Sequence, residues 1–234
     1  MSEKQFIEEL KKISIEISEF QLKQLTTYYN LLIEWNEKIN LTTIIKKEDV
    51  YLKHFYDSAT INKIITLNKI ENLCDIGSGA GFPGIVLKIL FPEIHITMID
   101  SLKKRIIFLT TVIKKLELKD IVALHSRAEE FALKEREKFD IVTARAVAPL
   151  NILSEYCLPL VKVDGYFIPM KSDISQEIKG LNNVLKKLNS EKKQILEFYL
   201  PIEQSKRTLL KIQKIASNSL KYPRKFNEIK KTPL

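Results

Sequence analysis

The run Asp75-Ile76-Gly77-Ser78-Gly79-Ala80-Gly81-Phe82-Pro83-Gly84 concentrates the residues best suited to hold a reactive ligand. It lies between an apolar stretch that reads as a strand and a segment, Phe82 to Phe91, that reads as a helix. Glycines let the backbone turn tightly and approach a ligand without a β-carbon in the way, and the amides that open the helix then face it. Two spacings overlap. Gly79, Gly81 and Gly84 fit the dinucleotide pattern G-x-G-x-x-G, whereas Gly77, Gly79 and Gly81 fit the G-x-G-x-G of S-adenosylmethionine sites. Asp75 favours the second. An acid two residues before the first glycine can reach the cationic amino group of a methionine moiety, and a pyrophosphate would be repelled by it.

Asp100 follows at the end of the next predicted strand, where a carboxylate accepts hydrogen bonds from ribose hydroxyls in either cofactor type. The alternative for Asp100 is a cap on the helix from Leu102. Ser126-Arg127-Ala128-Glu129-Glu130 follows the third predicted strand. In this architecture that turn borders an adenine, whose edge the backbone of Ala128 and Glu129 can read; the alternative is helix initiation with acids in the first turn. Arg145 stands at the carboxyl end of the fourth predicted strand, where ligands bind in such sheets. Its guanidinium stays protonated, so it positions a ligand and does not act as a base. His54 and Asp57 are three residues apart, and one helical face presents both. Lys53, His54, Lys171 and Arg224 are candidate contacts to a phosphate-rich substrate. His95 and His125, in or beside strands, read as structural. No metal site is expected, because Cys74 and Cys157 lack a CxxC spacing and a nearby histidine pair.

These residues need a scaffold that brings loop ends together. Short apolar runs at Leu73–Ile76, Ile94–Ile99, Ile121–Leu124, Phe139–Ala144 and Gly165–Met170 alternate with helical stretches such as Leu102–Leu118. Strands alternating with helices predict a parallel sheet with right-handed crossovers. Two later strands, Ile195–Tyr199 and Thr208–Ile215, would complete a sheet of seven. Before Gly77 there is no glycine, and Leu22, Leu25, Tyr28, Leu32 and Trp35 recur at helical spacing behind a capping box at Ser18 and Gln21. The expected organisation is a helical extension over residues 1–67 packed on a Rossmann-like α/β domain over 68–234.

Composition narrows the setting. At 45% hydrophobic residues the chain is an ordinary globular protein. No apolar run approaches the length of a membrane span, no signal region opens the chain, and the two cysteines suggest no disulfide framework, so a cytoplasmic monomer is expected. The net charge is +9. From Ser205 onward nine cations face the single acid Glu228, a balance of +8 that carries most of the excess. A basic end of this kind suits nucleic acid through counterion release.

Taken with the shorter pieces "WNEKINLTT", "HFYDS", "RAEE", "TARAVAPL" and "YPRKFNEIKKTPL", the run "LCDIGSGAGFPGIVLKILFPEIHITMIDSLKKRIIFL" resembles the bacterial small-subunit rRNA guanine-N7 methyltransferases, the glucose-inhibited division protein B family. The resemblance covers nearly the whole chain in order. It implies an S-adenosylmethionine-dependent enzyme that methylates one guanine in the decoding-region loop of 16S rRNA. It also implies cofactor contacts at Gly77, Phe82, Ala128, Glu129 and Arg145. Lys171-Ser172 departs from the Lys-Gly expected there. The chemistry is compatible: guanine N7 carries a lone pair and no proton, so no general base is needed. The chain lacks both the Asn-Pro-Pro-aromatic motif of exocyclic-amine methylation and the Pro-Cys pair of pyrimidine carbon methylation. Competing expectations are a methyltransferase acting on another RNA or a protein, a nicotinamide-dependent oxidoreductase, and a ribosome-assembly factor with a relict pocket.

Overall fold

The computed structural model describes residues 1–234. Seven strands form one sheet in the order β3-β2-β1-β4-β5-β7-β6: β1 (Asn72–Ile76), β2 (His95–Asp100), β3 (Ile121–His125), β4 (Phe139–Arg145), β5 (Val161–Lys171), β6 (Ser190–Tyr199) and β7 (Lys206–Lys214). All neighbours are parallel except at β7, which runs antiparallel to both β5 and β6. This is the mostly parallel seven-stranded sheet expected from the alternation. The order reverses between β1 and β4, which opens a crevice at the carboxyl ends of those strands.

Strand parity decides which residues can meet. Leu73 and Ile141 join one hydrophobic core, and Cys74, Val142 and Ala144 join the other. Asp75, Thr143 and Arg145, two residues on in each case, therefore share the first face. That face is covered by the N-terminal helices, whose Phe6, Leu10, Tyr28, Leu32, Tyr51 and Phe55 are wholly buried in the same core. The opposite face carries the helix Leu150–Cys157 and the helix Leu181–Lys187.

Two capping boxes start the N-terminal helices. Ser2 with Gln5 opens α1 (Glu3–Lys12), and Ser18 with Gln21 opens α2 (Glu19–Ile39). Asn40 stops α2 in a left-handed conformation at φ 46°. A continuous helical run over residues 47–63 follows, with a π-helical stretch, Tyr51–Tyr56, in its middle. That wider turn, a rare form that gathers at functional sites, carries Lys53 and His54.

Several elements differ in extent from their sequence patterns. β5 begins at Val161, four residues before the expected Gly165, and its pairing with β4 shifts register between Phe139 and Ile141. The apolar pattern hides this because Lys162, Val163 and Asp164 are exposed. β6 begins at Ser190, and its polar residues Glu191, Lys192, Lys193 and Gln194 are exposed. The first helix after the glycines begins at Gly84, since residues 79–83 are used in the turn.

Candidate active site

The glycine loop is held from below and from the side. Gly77 and Ser78 donate their amides to the Ile99 carbonyl at 2.8 and 3.1 Å, and the Ser78 hydroxyl donates to the Asp75 carbonyl at 2.9 Å. Tyr28 on α2 donates its hydroxyl to the Ala80 carbonyl. Gly77 and Gly81 lie at φ 71° and 96°, a region costly to residues with a β-carbon. A β-carbon at Gly77 would also meet Val147 Cγ2 at 2.5 Å.

Asp75 is wholly buried beneath this loop. Its Oδ2 accepts the Gly84 amide at 3.0 Å, while its Oδ1 is buried without any partner. Burial pushes the carboxyl up to about 6, against the opposing pull of the Gly84 N–H. Asp100 caps the helix from Leu102, one of the two roles weighed for it, and also ties down the glycine loop. Oδ1 caps the helix start by accepting Leu102 N at 2.9 Å, and Oδ2 accepts Gly79 N at 2.9 Å and Arg105 Nη1 at 3.2 Å.

Two cavities open side by side at the carboxyl ends of the strands. The first, of about 300 Å³, is lined by Gly77, Asp100, Ala128 and Glu129 together with the apolar Ile99 and Tyr156. Arg127 Nε holds the Glu129 carboxylate at 2.6 Å. The second, of about 410 Å³, brings together Lys53, His54, Arg145 and Lys171, with Asp57 and Arg207. The turn after β4 separates them: Arg145 and Ala146 face the second cavity, Val147 and Ala148 the first.

A hydrogen-bonded chain organises the second cavity. Arg145 donates through Nη1 to the Lys53 carbonyl and to Asp57 Oδ2, each at 3.1 Å, and through Nη2 to His54 Nδ1 at 3.2 Å. Because Nδ1 accepts, the ring is neutral and its Nε2–H donates to Thr42 Oγ1 at 3.0 Å. Burial first, and the Arg145 charge second, push the His54 imidazole down to about 3. The ring stacks on Phe82 with centroids 4.3 Å apart, and Arg145 lies over the same ring at 5.1 Å. Asp57 Oδ1 accepts Arg207 Nε at 2.9 Å. Lys171 donates to the Ala148 carbonyl and to Glu177, both at 2.9 Å, and Glu177 Oε2 caps Leu150 N at 2.6 Å. The turn between the cavities is thus tied at Arg145, Ala148 and Leu150.

The expected residues fall into several groups, and Arg145, expected at the cofactor, lines the cavity beside the one that holds the other cofactor candidates. Gly77, Asp100, Ala128 and Glu129 meet at the first cavity, and Lys53, His54, Arg145 and Lys171 at the second. Gly79, Gly81 and Phe82 belong to the glycine loop and line neither cavity. Asp75 lines neither cavity and lies beneath that loop. Arg224 is in neither. Its guanidinium and amide are spent on Glu155, with Nε–Oε1 at 2.8 Å and Nη2–Oε2 at 2.6 Å, and Glu155 is wholly buried. Arg224 is therefore an internal anchor, and its expected role as a free substrate contact gives way to that one. His54, at 9% exposure, has its polar atoms turned to Arg145 and Thr42. Arg207 went unnoticed in the sequence, where it looks like one of nine tail cations; its position at the start of a strand beside β5 was the available signal.

A nucleoside bearing a cationic amino-acid arm fits this arrangement. The first cavity offers apolar walls with Asp100 at their edge, Gly77 supplies room, and the unpaired Asp75 Oδ1 is a buried acceptor that an ammonium would complete.

The family model for rRNA small subunit methyltransferase G matches residues 21–208. The chain is 48% identical, over the full length of both, to the ribosomal RNA small subunit methyltransferase G of an Exiguobacterium species, and 45% identical to that of Bacillus subtilis across its own whole length and 99% of the relative's. Among solved structures, an S-adenosylmethionine-dependent methyltransferase from Aquifex aeolicus superposes with a TM-score of 0.56 at 15% identity, covering 75% of this chain and 97% of that one. A 16S rRNA (adenine(1408)-N(1))-methyltransferase from Catenulisporales acidiphilia gives 0.52 at 14%, covering 64% and 87%. At these identities the structural likeness concerns the fold. No helix is long and apolar enough to cross a membrane.

Proposed function

This chain belongs to the rRNA small subunit methyltransferase G family, and from that premise we propose that it methylates ring nitrogen N7 of one guanine in 16S rRNA, in the decoding-region loop of the small ribosomal subunit. The observation that carries the reading is the pairing of a nucleoside-sized cavity with a cation-lined one across the single turn Arg145–Ala148. One holds a donor, the other admits a polyanionic acceptor, and the two meet where the strand order reverses.

S-adenosylmethionine, when bound, supplies a methyl group on a cationic sulfur that a lone pair displaces in line. The chain's own residues bind and align. Asp100 faces the ribose, the backbone of Ala128 and Glu129 the adenine edge, and Gly77 leaves room for the chain between them. Asp75 offers its free Oδ1 to the ammonium through the glycine loop. Arg145 is a positioning residue, locked by Asp57, His54 and the Lys53 carbonyl, with Nε and one Nη2 proton left for a carboxylate, a phosphate or guanine O6. No residue removes a proton, because N7 has none. The carboxylates of Asp57 and Glu177 favour the positive charge that develops on the purine. Lys53 and Lys171 supply the cationic surface for RNA, while Arg207 is held on Asp57. On this reading residues 1–67 are an accessory extension that walls the acceptor cavity of the 68–234 domain, and the enzyme works in the cytoplasm as a monomer.

The test uses methyl-labelled S-adenosylmethionine with small subunits from cells lacking the modification, followed by cleavage at N7-methylguanine. Label at a single guanine, lost in Asp75→Ala, is the expected result. Label in another RNA or in a protein would keep the donor site and replace the acceptor.

A further inference from the structure

The C-terminal segment, beyond the residues 21–208 that the family model matches, reaches back to the first cavity. Phe226 and Lys230, on the helix Phe226–Lys231, line it beside Arg127, Ala128 and Tyr156. Phe226 is half-buried, and the Arg127 guanidinium lies 3.9 Å from its ring centroid. The same Arg127 holds Glu129 at 2.6 Å. One guanidinium therefore joins the C-terminal aromatic to the turn that reads the adenine edge.

Three attachments fix this segment in place. Arg136 donates to the carbonyls of Asn218 and Tyr222 at 2.8 and 2.5 Å. Arg224 forks onto the wholly buried Glu155. Ile229 is wholly buried in the core of that face. Glu155 and Tyr156 are neighbours on the helix Leu150–Cys157, so the ion pair sets the distance between Phe226 and the cavity's inner wall. A bidentate guanidinium–carboxylate pair with one partner buried is geometrically demanding, which suits a part whose position matters.

We propose that the C-terminal segment is a built-in wall of the cofactor pocket, with Phe226 packing against the nucleoside and Arg224–Glu155 as the pin that seats it. This rests on reading the first cavity as the nucleoside site. The C-terminal segment then closes the donor pocket with Phe226, and Lys230 stands at the same lining.

The test is titration calorimetry of S-adenosylhomocysteine against the full-length protein and three variants, with thermal melting of each. Asp100→Asn, at the ribose edge, checks the underlying reading and is expected to weaken binding at least about tenfold. Phe226→Ala is expected to weaken it about tenfold, the scale of one lost aromatic–base contact. Phe226→Trp is expected to bind near the wild-type level and to change its emission on binding; the wild type, whose one tryptophan is Trp35 packed on Phe108, serves as the blank. Wild-type affinity in Phe226→Ala with loss in Asp100→Asn would overturn the wall and leave the nucleoside site standing. Wild-type affinity in both would remove the site and the wall together. If Phe226→Ala melts too early to titrate, the tryptophan variant decides: unchanged emission despite full binding overturns the proposal.

Discussion

Asp75 is a wholly buried carboxyl group whose Oδ1 has no hydrogen-bond partner in the protein. Its carboxyl sits at about 6, above the unfolded value near 3.8, so the folded protein binds the extra proton between those limits. In the free protein, stability from this group is present below about 4 and lost as pH rises through 6. An ammonium beside Oδ1 reverses the preference and selects the carboxylate. The affinity for S-adenosylhomocysteine should therefore fall as pH is lowered from 7 to 5, approaching about tenfold per unit below 6, and Asp75→Asn should bind weakly with a flat profile. Calorimetry across that range checks it, and a flat wild-type profile would remove Asp75 from the ammonium's surroundings. His54 works in the opposite sense. Its value is lowered from 6.5 to about 3, so stability from its neutral ring is lost as pH falls from about 6.5 toward 3. His54→Leu should flatten that part of the acid denaturation curve. It should also lower methyl-transfer kcat/KM, since Arg145 loses one of its three acceptors, while His54→Asn, which keeps an acceptor, should recover part of it.

At the scale of elements, the glycine loop depends on a helix far away in sequence. Tyr28 lies on α2, is wholly buried, and supplies the hydroxyl that satisfies the Ala80 carbonyl. Tyr28→Phe should cost about 1–2 kcal/mol of unfolding free energy, the usual consequence of stripping a buried acceptor, and should weaken cofactor binding as the loop relaxes; denaturant titration and calorimetry measure the two effects. The sequence carried much of this layer openly. Apolar runs bounded by Gly77, Asp100 and Arg145 marked the strands whose carboxyl ends form the crevice, and the Ser18–Gln21 box marked where α2 begins. Other parts were hidden for physical reasons. The π-helical turn at Tyr51–Tyr56 is set by tertiary packing and leaves no periodic signal of its own. β6 opens with the consecutive exposed polar residues Glu191 to Gln194, so only its Ile195–Tyr199 end reads as a strand. Phe226 looks like one aromatic in a basic tail until Arg127 and Tyr156 are brought beside it by the fold.

At the scale of the whole molecule, the +8 balance of the segment from Ser205 onward overstates the free positive charge an RNA would meet there. Of the nine tail cations, Arg207 is paired with Asp57, Lys214 is wholly buried against Glu137 and two main-chain carbonyls, and Arg224 is forked onto Glu155. Charge that is neutralised inside the protein releases no counterions on binding, so it adds nothing to the salt dependence of association. Lys53 differs: it lies at the mouth of the acceptor cavity, with only the half-exposed Glu203 and Asp49 as partners. Two substitutions of the same formal charge should therefore give opposite signatures. Arg224→Gln leaves a buried carboxylate with its partner removed, and should cost about 3–5 kcal/mol of stability while leaving the slope of log affinity for small subunits against log salt unchanged. Lys53→Gln should keep the fold within about 0.5 kcal/mol and lower that slope by about 1. Filter binding of small subunits between low and moderate salt, run beside thermal melts, separates the two. A reduced slope for Arg224→Gln would place that guanidinium on RNA and break the internal anchor assigned to it; an unchanged slope for Lys53→Gln would move the phosphate path away from the cavity mouth.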